Sequence, residues 1–406
     1  MNNKKVNADD LVSEVALGYA NVYNNPPKDS RRIRLLDSTL REGEQAPGVT
    51  FTHRQRLQIA WMLDYFGVDA IEISPIVSPD HFRSAKEIIS AGLEADIVAH
   101  IRALKSDIDV ALKCDAKWIA MYHSASDIHL NYKLRVSREE AIRRSVEAVE
   151  YAKSHGLKMR FTLEDASRAE PEFLKRFAKS VAEAGATRIG LPDTVGALRP
   201  QGMFNMVKMI AEVVRKPIDV HCHNDLGLAL ANSLAGVEAG ADQVHVTING
   251  LGERVGITPL AEAAVALKVF YGAKLDVRLN MLTELSQLVE TYTSVKTHPM
   301  APLVGVNAYK HKAGTHVAAV LRARSAYEII PPKVVGNRRR IIIGELSGKG
   351  EAAFLLKLLG LEPDEVTAAN AARGLKNLRC GDLFEVELTD EMENLILELD
   401  EAINKA

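Results

Sequence analysis

The sequence predicts an α/β fold, a TIM-type (β/α)8 barrel, with an N-terminal arm before it and a small C-terminal accessory region after it. Three observations predict this. Apolar runs of strand length recur eight times between Ile33 and Ile248, with segments of helical period between them. They fill the roughly 250 residues that such a barrel occupies. Polar and titratable residues gather at the ends of these runs, the edge where parallel α/β architectures place their chemistry. An open doubly wound sheet is the alternative, and no G-x-G-x-x-G after the first run supports it.

Taken in order, residues 1–30 read as an arm. Leu11, Val15, Leu17 and Tyr19 suggest one short amphipathic helix, and Asn24-Asn25-Pro26-Pro27 breaks it into a linker. The barrel is assigned to 31–294. Its strand candidates are Ile33–Ser38, Ala70–Ser74, Ile97–Ile101, Trp118–His123, Met159–Glu164, Arg188–Pro192, Ile218–His223 and Gln243–Ile248. Helical segments between them include Arg54–Phe66, Arg138–Ser154, Glu172–Ala184, Gln201–Val214 and Leu228–Ala239. Ser137 ahead of Arg138-Glu139-Glu140 is a helix start signal, and Gly156 past His155 is a stop signal. Leu279 to Val295 is of helical period, and Pro299-Met300-Ala301-Pro302 follows as a turn. Residues 295–406 are taken as the accessory region, with a tail from Glu351 that reads as helices.

Composition narrows the function. With 406 residues, 47% hydrophobic and 26% charged, the chain can bury one large core plus an appendage. A net charge of -2 implies no bulk attraction to nucleic acid or to an anionic membrane. The three cysteines, Cys114, Cys222 and Cys380, form no C-x-x-C and no paired framework. No apolar run is of membrane-spanning length, and Met1 to Lys5 is polar without a signal-peptide core, so a cytoplasmic location is expected.

Chemistry concentrates first in Asp37-Ser38-Thr39-Leu40-Arg41-Glu42-Gly43-Glu44-Gln45, just past the first run. The second concentration is His221-Cys222-His223-Asn224-Asp225 at the seventh. Side chains alternate along a strand, so His221 and His223 face one way and Cys222 the other. Two imidazoles with the carboxylate of Glu42 would make a three-ligand metal site with open positions. Other strand ends carry His100; Arg160, Thr162 and Glu164 along one face of the fifth run; Asp193 and Thr194; and Asn249 to Arg254. Each has a plainer reading. Arg160 and Glu164 would form a structural ion pair, Thr194 a helix cap, Glu253-Arg254 a solvated pair, and His100 a satisfied core histidine.

Together, Asp37 to Gln45, His221 to Asp225, Gly250-Leu-Gly-Glu-Arg254 and His311-Lys-Ala-Gly-Thr-His316 resemble the DRE-TIM metallolyases. The likeness covers about residues 30 to 350. It is closest to the Claisen-condensing branch: homocitrate, isopropylmalate, citramalate and Re-citrate synthases. The resemblance implies one divalent metal ion (zinc, manganese or magnesium) on Glu42, His221 and His223, and condensation of acetyl-CoA with a 2-oxo acid. It implies a homodimer whose accessory regions swap, with Glu253 and His316 as the base pair and Tyr327 entering the neighbouring site. Arg41 would stabilise the developing alkoxide, a role worth roughly 3 kcal/mol in comparable sites. Gln45, His100, Arg160, Thr162 and Thr194 would bind substrate.

The 2-oxo acid is the divisive point. Met159 to Asp165 and His311-Lys-Ala-Gly resemble homocitrate synthases, in which an arginine and a small hydroxyl residue hold the distal carboxylate of 2-oxoglutarate. Isopropylmalate synthases usually carry an acidic residue where Arg160 stands. Ile128 to Lys133 and Leu346 to Gly350 resemble isopropylmalate synthases, but are expected to lie away from the substrate pocket. An inward Arg160 with no anion beside it would cost several kcal/mol, which a branched apolar substrate could not offset. Homocitrate synthase is therefore the expectation. Isopropylmalate synthase (2-oxoisovalerate) and Re-type citrate synthase (oxaloacetate) are the alternatives. Isopropylmalate synthases often carry a C-terminal leucine-binding domain, and neither such a domain after the accessory region nor leucine feedback through it is expected here.

Three other classes compete. Iron oxygenases share the His-His-carboxylate triad but sit on a different β architecture. Related acyl-CoA lyases carry a cysteine in the loop after the eighth strand, and Gly250 to Leu260 has none. A metal-binding protein without catalysis would need no Glu253 or His316.

Overall fold

A computed structural model of the chain describes residues 14–25, 31–379, 381, 383–389, 391–392, 394–396 and 398–399. The chain forms two units: Pro27–Leu279 with Glu284–Lys296, and Met1–Pro26 with Asn280–Thr283 and Thr297–Ala406.

In the first unit eight parallel strands close a barrel in chain order. They are β1 (Arg34–Asp37), β2 (Ala70–Ile73), β3 (Asp96–Arg102), β4 (Trp118–Ser124), β5 (Lys158–Glu164), β6 (Arg188–Asp193), β7 (Ile218–Cys222) and β8 (Gln243–Val246). Closure pairs Arg34 with Gln243 and Asp37 with Val246. Every strand falls on one of the eight expected runs, with ends within two residues. Around them lie α3 (His53–Phe66), α4 (Pro79–Ser90), α5 (Lys105–Lys113), α6 (Arg138–Ser154), α7 (Pro171–Ala184), α8 (Pro200–Val213), α9 (Ala229–Glu238) and α10 (Leu260–Tyr271). α11 (Leu282–Tyr292) follows.

Local sequence explains the helix ends. Thr52 and Gln55 close a capping box on α3, and the Ser137 hydroxyl accepts from the Glu140 amide at the start of α6. Phe173, Phe177 and Val181 recur at helical spacing on the buried face of α7.

Inside the barrel, Leu36, Ala70, Val98 and Ala120 form an apolar layer. Two residues along, the alternation of a strand brings Ser38, Glu72, His100 and Tyr122 to the same side. The cavity described below therefore stands on an apolar floor with a polar layer over it.

In the second unit the expected single helix of the arm is two, α1 (Glu14–Leu17) and α2 (Ala20–Asn24), separated where Gly18 turns to φ 50°. Leu11, Pro26 and Pro27 lie outside the described residues. The rest holds α12 (Gly314–Arg322), α13 (Lys349–Leu358), α14 (Glu365–Leu375) and a three-stranded sheet of β9 (Lys310–His311), β10 (Arg340–Ile343) and β11 (Phe384–Glu387). β11 corrects the reading of the tail as wholly helical. Phe384-Glu385-Val386-Glu387 alternates apolar and charged, the period of a strand, and pairs antiparallel with β10. Val317, Ile341, Ile343 and Phe354 make this unit's core. Among the described residues no helix is long and apolar enough to cross a membrane.

Candidate active site

The loop after β1 is shaped by its own side chains. Asp37 Oδ1 accepts from the Thr39 amide at 2.8 Å, and the Ile248 amide donates to Thr39 Oγ1 at 2.9 Å, so the loops after β1 and β8 are latched together. A 3-10 turn over Gly43–Gln45 then leaves Glu42 buried and Arg41 half-buried. The β8 loop runs close against Glu42. The Glu253 amide donates to Glu42 Oε1 at 3.0 Å, and a Cβ at Gly252 would stand 3.1 Å from Glu42 Cγ, so little beyond glycine fits there.

His221, in β7, and His223, just beyond it, complete a triad. Their Nε2 atoms stand 3.3 Å apart, 4.0 Å and 3.9 Å from the two Glu42 oxygens. The three donor atoms lie within 4.8 Å of one another. Burial holds His221 well below the ordinary histidine range, helped by His223 and Arg41; burial also lowers His223, with Arg254 and Arg41 adding to it. Both imidazoles are therefore neutral at pH 7, the state that binds a metal. A carboxylate and two neutral imidazoles converging at this spacing fit a divalent cation. Cys222 turns the opposite way, as expected. Burial pushes its thiol up to about 12, and Ser233 is its neighbour.

A row of charges leads away from the triad. Arg41 Nη1 bonds Glu42, and its Nε donates to Glu72 Oε2 at 2.6 Å. Ser38 Oγ donates to the same oxygen, and Arg160 Nη2 pairs with Glu72 Oε1. Arg160 also donates through Nε to Thr162 Oγ1 (3.1 Å) and through Nη1 to His245 Nε2 (2.9 Å). Burial would raise Glu72, but Arg41 and Arg160 outweigh it and hold it well below the usual carboxylate range. His100 is held well below its usual range by burial and Arg41, and stacks on Tyr122 with centroids 5.0 Å apart.

These groups line one cavity of about 330 Å³, a size suited to a small ligand. It is walled by Arg41, Glu42, Gln45, His100, Arg160, Thr162, Thr194, His221, His223 and Glu253 from the expected set, and by Tyr122, Lys133, Glu164, His245 and Arg254. His316 and Tyr327 belong to the other unit, where their rings stack with centroids 4.1 Å apart.

Several expectations change. Arg160 is not paired with Glu164 and is not short of an anion: Glu72 is its partner. Glu164 instead takes Lys133 at 2.6 Å. Lys133 comes from the segment expected to lie away from the pocket; the π-helical turn His129–Leu134 carries it to the cavity wall. Thr194 caps no helix but accepts from the Asp165 amide at 3.0 Å. Arg254 pairs with Asp225 rather than Glu253, at 2.7 Å. Sequence reading missed Glu72, Asp219 and His245. Their signal was present: each is a titratable residue flanked on both sides by apolar residues within a strand.

The HMGL-like family model matches residues 32–289, and the homocitrate synthase post-HMGL domain-like model matches 303–380. The chain belongs to the HMGL-like family. Its relatives in that family carry three names: 2-isopropylmalate synthase, homocitrate synthase and, for one of Methanopyrus kandleri 41% identical over 88% of this chain and 70% of that protein, putative (R)-citramalate synthase. A probable 2-isopropylmalate synthase of Ignicoccus hospitalis is 44% identical over 379 residues, 93% of this chain and 94% of that protein. Homocitrate synthase AksA of Methanopyrus kandleri is 44% identical over 347 residues, 85% of this chain and 87% of that protein. Hydroxymethylglutaryl-CoA lyase of Pseudomonas aeruginosa shares the family's barrel, with a TM-score of 0.59 at 20% identity over 66% of this chain and 95% of that one. The protein is an enzyme of the Claisen-condensing, DRE-TIM type, an acyltransferase. Identity does not divide its relatives by substrate.

Proposed function

We propose that the enzyme condenses acetyl-CoA with 2-oxoglutarate to give homocitrate and CoA, a step of lysine biosynthesis in the cytoplasm. The observation that carries this reading is the polarity of the cavity wall, whose aliphatic members are Leu191 and Pro192. A branched apolar side chain finds little to pack against there, whereas a second carboxylate finds Arg160, Thr162 and His100. Charge supports the same choice. If Glu42 serves a cation, Glu72 alone faces both Arg41 and Arg160, and a dianionic substrate supplies the missing negative charge.

Glu42, His221 and His223 hold the divalent ion, whether zinc, manganese or magnesium. When bound, it supplies Lewis acidity to the 2-oxo group. Arg41, fixed between Glu42 and Glu72, directs its guanidinium at the alkoxide that develops on attack. Gln45 and Thr194 help hold the 2-oxo acid. Glu253 and His316, with Tyr327 beside His316, take the α-proton of acetyl-CoA. In this reading the enzyme is a homodimer, and residues 295–406 of each chain serve the partner's barrel. Hydrolysis of the thioester then releases CoA.

One observation favours isopropylmalate synthase instead: Lys133, from a segment of isopropylmalate-synthase type, stands in the cavity wall. Release of CoA from acetyl-CoA, measured with 2-oxoglutarate, oxaloacetate and 2-oxoisovalerate, decides the matter. Preference for 2-oxoisovalerate rejects homocitrate synthase. Preference for oxaloacetate keeps the role of Arg160 and makes the product citrate.

A further inference from the structure

His245, in the middle of β8, touches both ends of the cavity. Its Nδ1 is 3.4 Å from Nδ1 of His221, with the rings edge-on at 80°. Its Nε2 is 2.9 Å from Arg160 Nη1 and 3.4 Å from Asp219 Oδ2. The ring is buried, so these neighbours fix its protons. Arg160 can only donate and Asp219 as a carboxylate can only accept, so one Nε2 cannot serve both.

Two arrangements satisfy the chain. In one, Arg160 donates to Nε2, and Nδ1–H of His245 donates to Nδ1 of His221, whose own proton then sits on Nε2. In the other, the bond between the histidines reverses and the Arg160 bond is given up: His221 carries Nδ1–H and donates to His245 Nδ1, whose Nε2–H turns to Asp219. A cation on Nε2 of His221 permits only the second, because that nitrogen cannot hold a metal and a proton together. Net protonation does not change, since the proton leaving His221 Nε2 is matched by the one gained on His245 Nε2.

We infer that His245 is a positioning residue that orients the metal ligand His221 and, by exchanging tautomers when the metal binds, releases Nη1 of Arg160 for an anionic group of the substrate. The two ends of the cavity are thereby linked: the ion at Glu42, His221 and His223 prepares the guanidinium on the far side. The inference rests on the metal reading given above.

The test uses the full-length protein with Zn²⁺ as the probe, titrated in competition with a chromogenic chelator. His245→Gln keeps a polar group towards Arg160 and Asp219 but has no acceptor for His221, and should weaken Zn²⁺ binding by about 10- to 100-fold. His245→Asn places an amide oxygen where Nδ1 stands and should stay within about threefold of wild type, a rescue that a merely structural role would not give. In wild-type protein with ¹⁵N-labelled histidine, His245 should carry its proton on Nδ1 after chelator treatment and on Nε2 after loading with Zn²⁺. Equal Zn²⁺ affinity in wild type and both variants, or an unchanged His245 tautomer, overturns this inference alone. Zn²⁺ affinity that His223→Ala does not alter overturns the metal reading and the inference with it.

Discussion

The two ends of the cavity are built on opposite principles. At the Glu42 end, two neutral imidazoles and a carboxylate turn their ligating atoms on one another at 3.3 to 4.0 Å. At the Arg160 end, the charges already answer each other, Glu72 against two guanidiniums and His245 beside them. The first end gathers ligands for a cation. The second is a closed ion network, which under the proposed function a substrate enters by sharing its partners. Under the proposed function, catalysis at the first is sensitive to the loss of any ligand, while selectivity at the second depends on how loosely Arg160 is held.

The most damaging test of this contrast removes a ligand. His221→Ala should abolish stoichiometric metal binding and lower kcat/KM by about 10³-fold or more, on the scale of several kcal/mol of Lewis-acid stabilisation. Metal analysis of the purified variant beside its kinetics checks both. Retention of a full metal equivalent would break the contrast at its first end.

At the second end, Arg160→Ala should cost about 2–4 kcal/mol in kcat/KM for 2-oxoglutarate. The penalty should be much smaller for 2-oxoisovalerate, which has no distal anion. Equal losses for the two substrates would show that Arg160 serves the ion network and not the ligand.

A third test leaves both ends intact. His316→Ala should lower turnover by about 10²-fold while binding of the 2-oxo acid survives. Titration of the substrate into the variant separates binding from chemistry, and near-normal turnover would reject His316 as part of the base.

The last effect is on stability rather than activity, and concerns the floor of the β1 loop. Burial raises the Asp37 carboxyl to about 7, and its Oδ2 is buried without a partner. A carboxyl raised above its unfolded value of about 3.9 holds more protons in the fold than in the unfolded chain, so it lowers stability as pH rises towards 7. Asp37→Asn removes that term. Relative to wild type, the variant should gain about 2–3 kcal/mol between pH 5 and pH 8, read from urea midpoints. A constant difference across that range would place the charge elsewhere.

The sequence made the first end far more legible than the second. Arg41, Glu42, His221 and His223 stand just past or at the end of apolar runs, where period and position together give their direction. The strands themselves were readable because each run is bounded by turn or helix signals. Glu72, Asp219 and His245 lie inside runs and so passed as strand filler. What gives them meaning is closure of the barrel, which brings Glu72 against Arg160 from 88 residues away. No local pattern encodes that pairing. Lys133 was lost for a different reason: a π-helical turn, which has no simple sequence period, set its direction. The strand Phe384–Glu387 was hidden by its helical surroundings, although its own alternation was plain.

Glu72 is shared between Arg41 and Arg160, and that sharing constrains how such an enzyme can drift in substrate preference. An acidic residue at position 160, the type usual in isopropylmalate synthases, would set two carboxylates face to face and leave Arg41 to balance both. The change would be harmful made alone, yet tolerable once Glu72 had been replaced or another cation had moved in. Substitutions at 72 and 160 are then epistatic, and their order matters. Homologues that exchange one class of 2-oxo acid for another should carry paired changes at these two positions, and laboratory selections that vary Arg160 alone should stall.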